Sequence, residues 1–124
     1  MSELRTFEQR DVAEIVVEQV PVDADQVVAG ERRTGSNVHA TAFGAEVGVW
    51  EMTAGAMVDV EVDEVFVVVE GEASVTLLKD GRPAEVVELR PGTVCRLTAG
   101  STTRWDVPRL LRKVYVLANE ADSS

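Results

Sequence analysis

Residues 54–71 read AGAMVDVEVDEVFVVVEG. Val58, Val60 and Val62 alternate with Asp59, Glu61 and Asp63, the period of a strand with one dry and one wet face. If that parity runs on without a bulge, Glu64 falls on the valine face, followed by Phe66 and Val68. A lone carboxylate among valines is costly unless it is paired or its pKa rises to hold it neutral, so Glu64 is the first candidate for function. The competing expectation is a bend or bulge at Asp63-Glu64 that turns both acids to water.

The chain around this stretch reads as a sheet protein. Twenty-four valines against six aromatics favour strands, because branched side chains fit pleated surfaces and lose rotamer freedom in helices. At 124 residues it is one domain, long enough to bury a core without a staple. The single cysteine, Cys95, allows no intrachain disulfide, and Val94 and Leu97 around it suggest a packed thiol. A net charge of −10 argues against nucleic acid and anionic membrane as partners, since both need a basic footprint. The N-terminal residues carry acids throughout with no apolar run for a signal peptide or membrane span, so a cytoplasmic protein is expected.

The charge is unevenly distributed. No Lys or Arg occurs from Thr34 to Leu78, whereas Lys79 to Lys113 holds eight of the twelve. Acidic middle strands are therefore expected beside basic C-terminal ones, or against them across a subunit contact.

In chain order, residues 1–20 form an N-terminal arm in which EIVVEQV (Glu14 to Val20) reads as a strand. Residues 21–118 form the main domain and 119–124 a frayed tail. Pro21 to Asp25 reads as a turn, and GERRTGS (Gly30 to Ser36) as a loop. The only histidine, His39, has none of a ligand's usual partners at motif spacing. Phe43-Gly44, Asp80-Gly81 and Arg90-Pro91-Gly92 mark turns, the last of type II. Thr103 to Val107 and Leu110 to Leu117 are expected as two short strands separated by Pro108. Eight or so strands with turns every eight to twelve residues mean a sandwich or barrel.

Six pieces in order, VGVWEMTAG (Val47 to Gly55), DEVFVVVEGEASVT (Asp63 to Thr76), Asp80-Gly81, RPGT (Arg90 to Thr93), TAGSTTRW (Thr98 to Trp105) and LRKVYVL (Leu111 to Leu117), resemble the cupin superfamily. They are most similar to the small single-domain cupins related to ureidoglycine aminohydrolase and the ethanolamine-utilisation cupin. The resemblance implies an all-β fold, a jelly-roll β-barrel (double-stranded β-helix) with its ligand site inside, assembled as a homodimer.

Measured against the family's first motif, G-x5-H-x-H-x3–4-E-x6-G, Glu64 and Gly71 match the last two fixed positions and both histidines are missing. A three-residue spacer puts Val60 and Val58 in their places; a four-residue spacer puts Asp59 and Met57 there. In the second motif, G-x5-P-x-G-x2-H, Gly92 and Gly100 match, while Thr98 and Thr103 replace the proline and the histidine. Of the usual metal ligands only Glu64 is left. One glutamate among valines cannot hold a divalent transition ion tightly, so the expectation is a barrel with no metal and no cofactor. The alternative is an all-oxygen site for a hard cation made by Asp59 and Glu64, with Glu61 beside them.

Inward positions implied by the resemblance are Thr103 and, two residues on, Trp105. Lys113 and Tyr115 share a face of the last strand. If those polar side chains point inward, Glu64, Lys113 and Tyr115 are the candidate catalytic residues, with Glu64 and Lys113 as an acid/base couple. Trp50, Glu51, Val58, Val60, Phe66, Thr103 and Trp105 are the candidate ligand contacts. Three functions then compete: binding of a small organic molecule; a cofactor-free isomerase, cyclase or lyase in which Glu64 moves a proton while Tyr115 or Lys113 stabilises enolate-like charge; and a filled barrel acting as a dimeric scaffold or regulatory module. A metal-dependent hydrolase with a carboxylate-rich site is the remaining alternative.

Overall fold

The computed structural model describes residues 3–21, 26–29 and 33–118, with the side chains at 29, 33 and 37–39 outside that description. Nine strands run through them, all paired antiparallel: β1 (Val20–Pro21), β2 (Val27–Ala29), β3 (Arg33–Ala42), β4 (Ala45–Val60), β5 (Glu64–Gly71), β6 (Ala73–Lys79), β7 (Arg82–Leu89), β8 (Val94–Leu97) and β9 (Thr102–Ala118). This is the all-β jelly roll that the sequence predicts. No helix among the described residues is long and apolar enough to cross a membrane.

Two long strands make the frame. β4 and β9 pair from Ala45↔Ala118 to Val60↔Thr102, and the other edge of β9 is shared by β5 and β6. β5 covers its C-terminal part, from Leu111 to Leu117, and β6 its N-terminal part, from Thr102 to Asp106. The handover falls at Gly71, which closes β5 with φ of 85°. A Cβ there would lie 1.8 Å from the carbonyl oxygen of Leu110, so only glycine lets the two backbones touch.

The two strands expected around Pro108 are one. β9 runs through the proline because its register with β4 shifts between Thr53 and Gly55, and a ring without an N–H is tolerated at such an irregularity. The hairpin turns behave as read. Phe43 and Gly44 have positive φ between the paired Ala42 and Ala45, as do Asp80 and Gly81 between Lys79 and Arg82, the primed-turn geometry that matches strand twist. At the third turn Thr93 N–H donates to Arg90 C=O across Gly92, whose φ is 95°.

At the N-terminus only Val20 of the expected strand pairs, at β1; residues 14–19 form no strand. Leu4 N–H nonetheless donates to Thr41 C=O, and the backbone near Glu18 lies so close to Gly35 that a Cβ could not fit there. Of the expected GERRTGS loop, Arg33–Ser36 belongs to β3. Gly30 to Arg32, the Val22–Asp25 part of the turn, the tail from Asn119 onward and the His39 side chain lie outside the described residues.

The core gathers Met52, Met57, Phe66, Val68, Val75, Leu89, Leu97, Trp105, Leu111 and Tyr115, with Cys95 packed against it. Burial raises the pKa of the Cys95 thiol, in keeping with a packed rather than reactive sulfur.

Candidate functional site

The acids of the central stretch reverse the expected parity. Val60 and Val62 are 65% and 51% exposed, while Glu61 is 9% exposed and Asp59 lines a cavity inside the barrel. Two breaks in the alternation explain this. The irregularity at Thr53–Gly55 shifts β4 by one, so that Met57, Asp59 and Glu61 follow Trp50 and Met52 toward the interior. The chain then leaves the strand at residues 61–63 and turns a corner. Glu61 C=O accepts from Gly100 N–H, Glu61 N–H donates to Ser101 C=O, and Asp63 Oδ1 accepts from Ala99 N–H and from Arg96 Nη2 at 2.9 Å. After the corner Glu64, Phe66 and Val68 face in. Carboxylates from both sides of the corner therefore meet in one space. The bend expected at Asp63-Glu64 exists, but it turns only Asp63 to water.

That space is a cavity of about 200 Å³ lined by Ser36, Trp50, Asp59, Glu61, Glu64, Trp105, Lys113, Tyr115 and Leu117. Lys113, 4% exposed, donates from Nζ to Glu64 Oε2 at 2.7 Å, and Glu64 is 8% exposed. The same ammonium lies 4.8, 4.4 and 4.7 Å from the ring centroids of Trp50, Phe66 and Trp105. Three rings and a carboxylate thus enclose one cation. Burying both charges is tolerated because each meets the other at hydrogen-bonding distance.

In the same cavity Glu61 Oε2 accepts from the Thr103 hydroxyl at 2.6 Å and from Trp105 Nε1–H at 3.1 Å, and that indole N–H also reaches Thr103 Oγ1 at 3.0 Å. Burial raises the pKa of Glu61; the Thr103 bond opposes the rise and the charge of Asp59 adds to it. Asp59 is raised by burial too, against the bond its Oδ1 accepts from Val60 N–H. Tyr115, hydrogen-bonded to Ser36, is raised by burial and by the nearby Glu46.

Of the residues singled out from sequence, Glu64, Lys113, Tyr115, Trp50 and Trp105 come together at this cavity. Thr103 stands behind it as the donor to Glu61, and Phe66 reaches it through the Lys113 ammonium. Val58 and Val60 do not line it: the shift at Thr53–Gly55 turns them outward, and the expectation for them is corrected accordingly. Glu51 is corrected as well. Adjacent to Trp50 on a strand, it points to the other face, where it meets the buried Arg112 at 3.4 Å. Arg112 also donates to the carbonyls of Val12 and Ile15 and so pins the N-terminal arm against the barrel.

Glu61 and Asp59, expected from alternation on a wet face, are the acids whose inward placement the sequence pattern alone does not show. The four-residue spacer in the first motif was the signal that placed Asp59 at a ligand position, with Met57, now a core residue, at the other. The donor set here does not fit a transition metal. Both histidine positions of that motif carry side chains other than imidazole, Glu64 is occupied by an ammonium, and among the described residues no three His, Cys, Asp or Glu side chains form a group able to hold an ion. A wider surface groove between β6, β7 and β9, about 900 Å³, has its Arg104 tied to Asp106 at 3.1 Å and lacks comparable buried polar groups.

Comparison with known proteins agrees with the fold and leaves the chemistry open. No curated protein matches the chain. Among solved structures it is similar to a protein of unknown function from Pseudomonas syringae, with TM-score 0.69 and 19% identity, over 87% of this chain and 46% of that one. The chain thus spans under half the length of that structure. It is also similar to the EutQ protein of Clostridium difficile, with TM-score 0.60 and 20% identity over 82% of each chain. A cupin-2 domain protein from Shewanella frigidimarina aligns with TM-score 0.54 and 16% identity, over 67% of this chain and 78% of that one. Residues 40–115 match the model of the EutQ-like cupin domain, and with the jelly roll, the Gly71 corner and Glu64 facing the barrel interior, the chain belongs to the EutQ-like cupin family.

Proposed function

We propose that this cupin binds a small organic molecule in the cavity beside Glu64 and Trp105 and does so without a metal ion. The observation that carries the reading is the Lys113 ammonium, which holds Glu64 Oε2 at 2.7 Å. That carboxylate is the one side chain retained from the family's ligand set, and a metal would have to displace a cation already neutralising it. The cavity of about 200 Å³ lies below the range of drug-sized sites, roughly 300–1,000 Å³, and suits a ligand of few heavy atoms. An open cavity with polar walls also speaks against a barrel that is only a scaffold.

Within this reading the polar wall supports proton transfer without a cofactor. Glu64 with Lys113 is a donor-acceptor couple, and the Tyr115 hydroxyl lines the same space.

Two measurements on the full chain test the proposal. A thermal-shift series over Mn, Fe, Ni, Zn and Mg is expected to leave the Tm unchanged, because only ligands of the native state raise it. Small organic fragments are expected to move the Trp50 or Trp105 indole N–H resonances, with affinity altered by Glu64→Gln. Stoichiometric metal that is lost in Glu64→Gln would overturn the reading in favour of a carboxylate-ligated hydrolase. Indole signals unmoved by any fragment would leave a scaffold.

A further inference from the structure

Resting on the reading of the cavity as a ligand site, we propose that its ligand is a small protonated amine, anchored by Glu61 and Asp59 beside the indoles of Trp50 and Trp105. Among the described residues three carboxylates and one cation line the cavity, and the cation is committed to Glu64. Among the described residues no Lys, Arg or His nitrogen lies within 4 Å of an oxygen of Glu61 or Asp59.

The hydrogen bonds are lopsided in the same sense. Both donors to Glu61, the Thr103 hydroxyl and the Trp105 indole, reach Oε2, and no donor among the described residues reaches Oε1, although the residue is nine-tenths buried. Asp59 takes Val60 N–H and Gln26 Nε2 on Oδ1, and none of the described donors reaches its Oδ2. A buried carboxylate oxygen short of a donor and of a cation in contact is costly, and an ammonium N–H supplies both at once. The aromatic lining suits that guest: it already holds the Lys113 ammonium at 4.4 to 4.8 Å from three rings. An anionic ligand would instead meet two carboxylates that, among the described residues, have only the Lys113 ammonium to offset them, and Glu64 already holds that ammonium.

The test uses three probes of one shape and different charge, isobutylamine, isobutanol and isobutyrate, titrated at pH 7.5 into the ¹⁵N-labelled full chain while the two indole N–H signals are followed. The amine is expected to shift the Trp105 signal saturably, with its Kd raised roughly ten-fold or more in Glu61→Gln, as for loss of a hydrogen bond to a charged group. The alcohol and the carboxylate are expected to leave both signals in place. Asp59→Asn provides a second variant should Glu61→Gln lose its dispersed spectrum. If isobutyrate or isobutanol shifts the signal as strongly as the amine, or the amine binds equally well in the variants that fold, the amine proposal falls while the ligand pocket stands. If none of the three shifts either indole, the amine proposal and the pocket reading fall together.

Discussion

Glu61 and Glu64 lie three residues apart and face one cavity, yet their surroundings assign them different work. Glu64 is matched by an ammonium at 2.7 Å, whereas Glu61 is stabilised by neutral donors and raised in pKa by burial. A carboxyl raised in the folded state binds its proton more readily there than in the unfolded chain. The cost of keeping it ionised is therefore fully present at neutral pH and is relieved as pH falls through its folded pKa. Asp59 acts in the same direction. Glu61→Gln keeps an acceptor for Thr103 and Trp105 and removes the charge, so it is expected to raise the Tm at pH 7 by a few degrees, an advantage that shrinks on acidification toward the ordinary carboxylate range. Thermal melts of both proteins from pH 7 downward check this. Asp59, Glu64, Lys113 and Tyr115 line the same cavity and are common to both proteins, so the difference reports the Glu61 charge together with its repulsion of Asp59. A variant less stable than the parent at pH 7 would show that the ionised form is held favourably.

At the scale of elements, β9 serves two faces at once. Lys113 reaches into the cavity while its neighbour Arg112 holds Glu51 and the carbonyls of Val12 and Ile15 outside, the consequence of alternation along a strand. Uneven charge along the chain anticipated such pairing. Arg96, Arg112 and Lys113 from the basic third meet Asp63, Glu51 and Glu64 from the acidic middle. What permits β5 and β6 to share β9 is the corner at Gly71, where the backbone of Leu110 lies against the α-carbon. Gly71→Ala forces a side chain into φ of 85°, costing about 1–3 kcal/mol from the backbone alone, and more from the contact with Leu110. Urea unfolding should show at least that loss. A change within experimental error would mean the corner relaxes freely.

For the whole molecule, the outer face of β5, β8 and β9 carries exposed valines side by side. Val65 pairs with Val116 and Val67 with Val94, each of them open to solvent. Such a contiguous apolar surface is uncommon on a monomer, and a two-fold axis through it would cover both copies with the same residues. A homodimer is the expected state. Sedimentation at micromolar concentration should give a dimer, and Val67→Lys should shift it toward monomer; a parent protein that sediments as a monomer contradicts the expectation.

The sequence by itself determined the all-β class, the hairpin turns at Phe43-Gly44 and Asp80-Gly81, the motif glycine at Gly71 and the loss of the motif histidines. Each of these depends on local stereochemistry or on residue identity at fixed spacing. It also singled out Glu64, because a carboxylate among valines is visible without coordinates. Only the tertiary structure decided which other acids face inward. Alternation carries an orientation forward only while a strand stays regular, and two breaks, at Thr53–Gly55 and at residues 61–63, each reset it. Those breaks are positioned by pairing with β9 and with the Gly100-Ser101 backbone, more than fifty and about forty residues away in the chain. The meeting of Glu64 with Lys113, and of Glu61 with Thr103 and Trp105, is likewise a product of register between distant strands, where charge and hydrogen-bond complementarity act only after the barrel has closed.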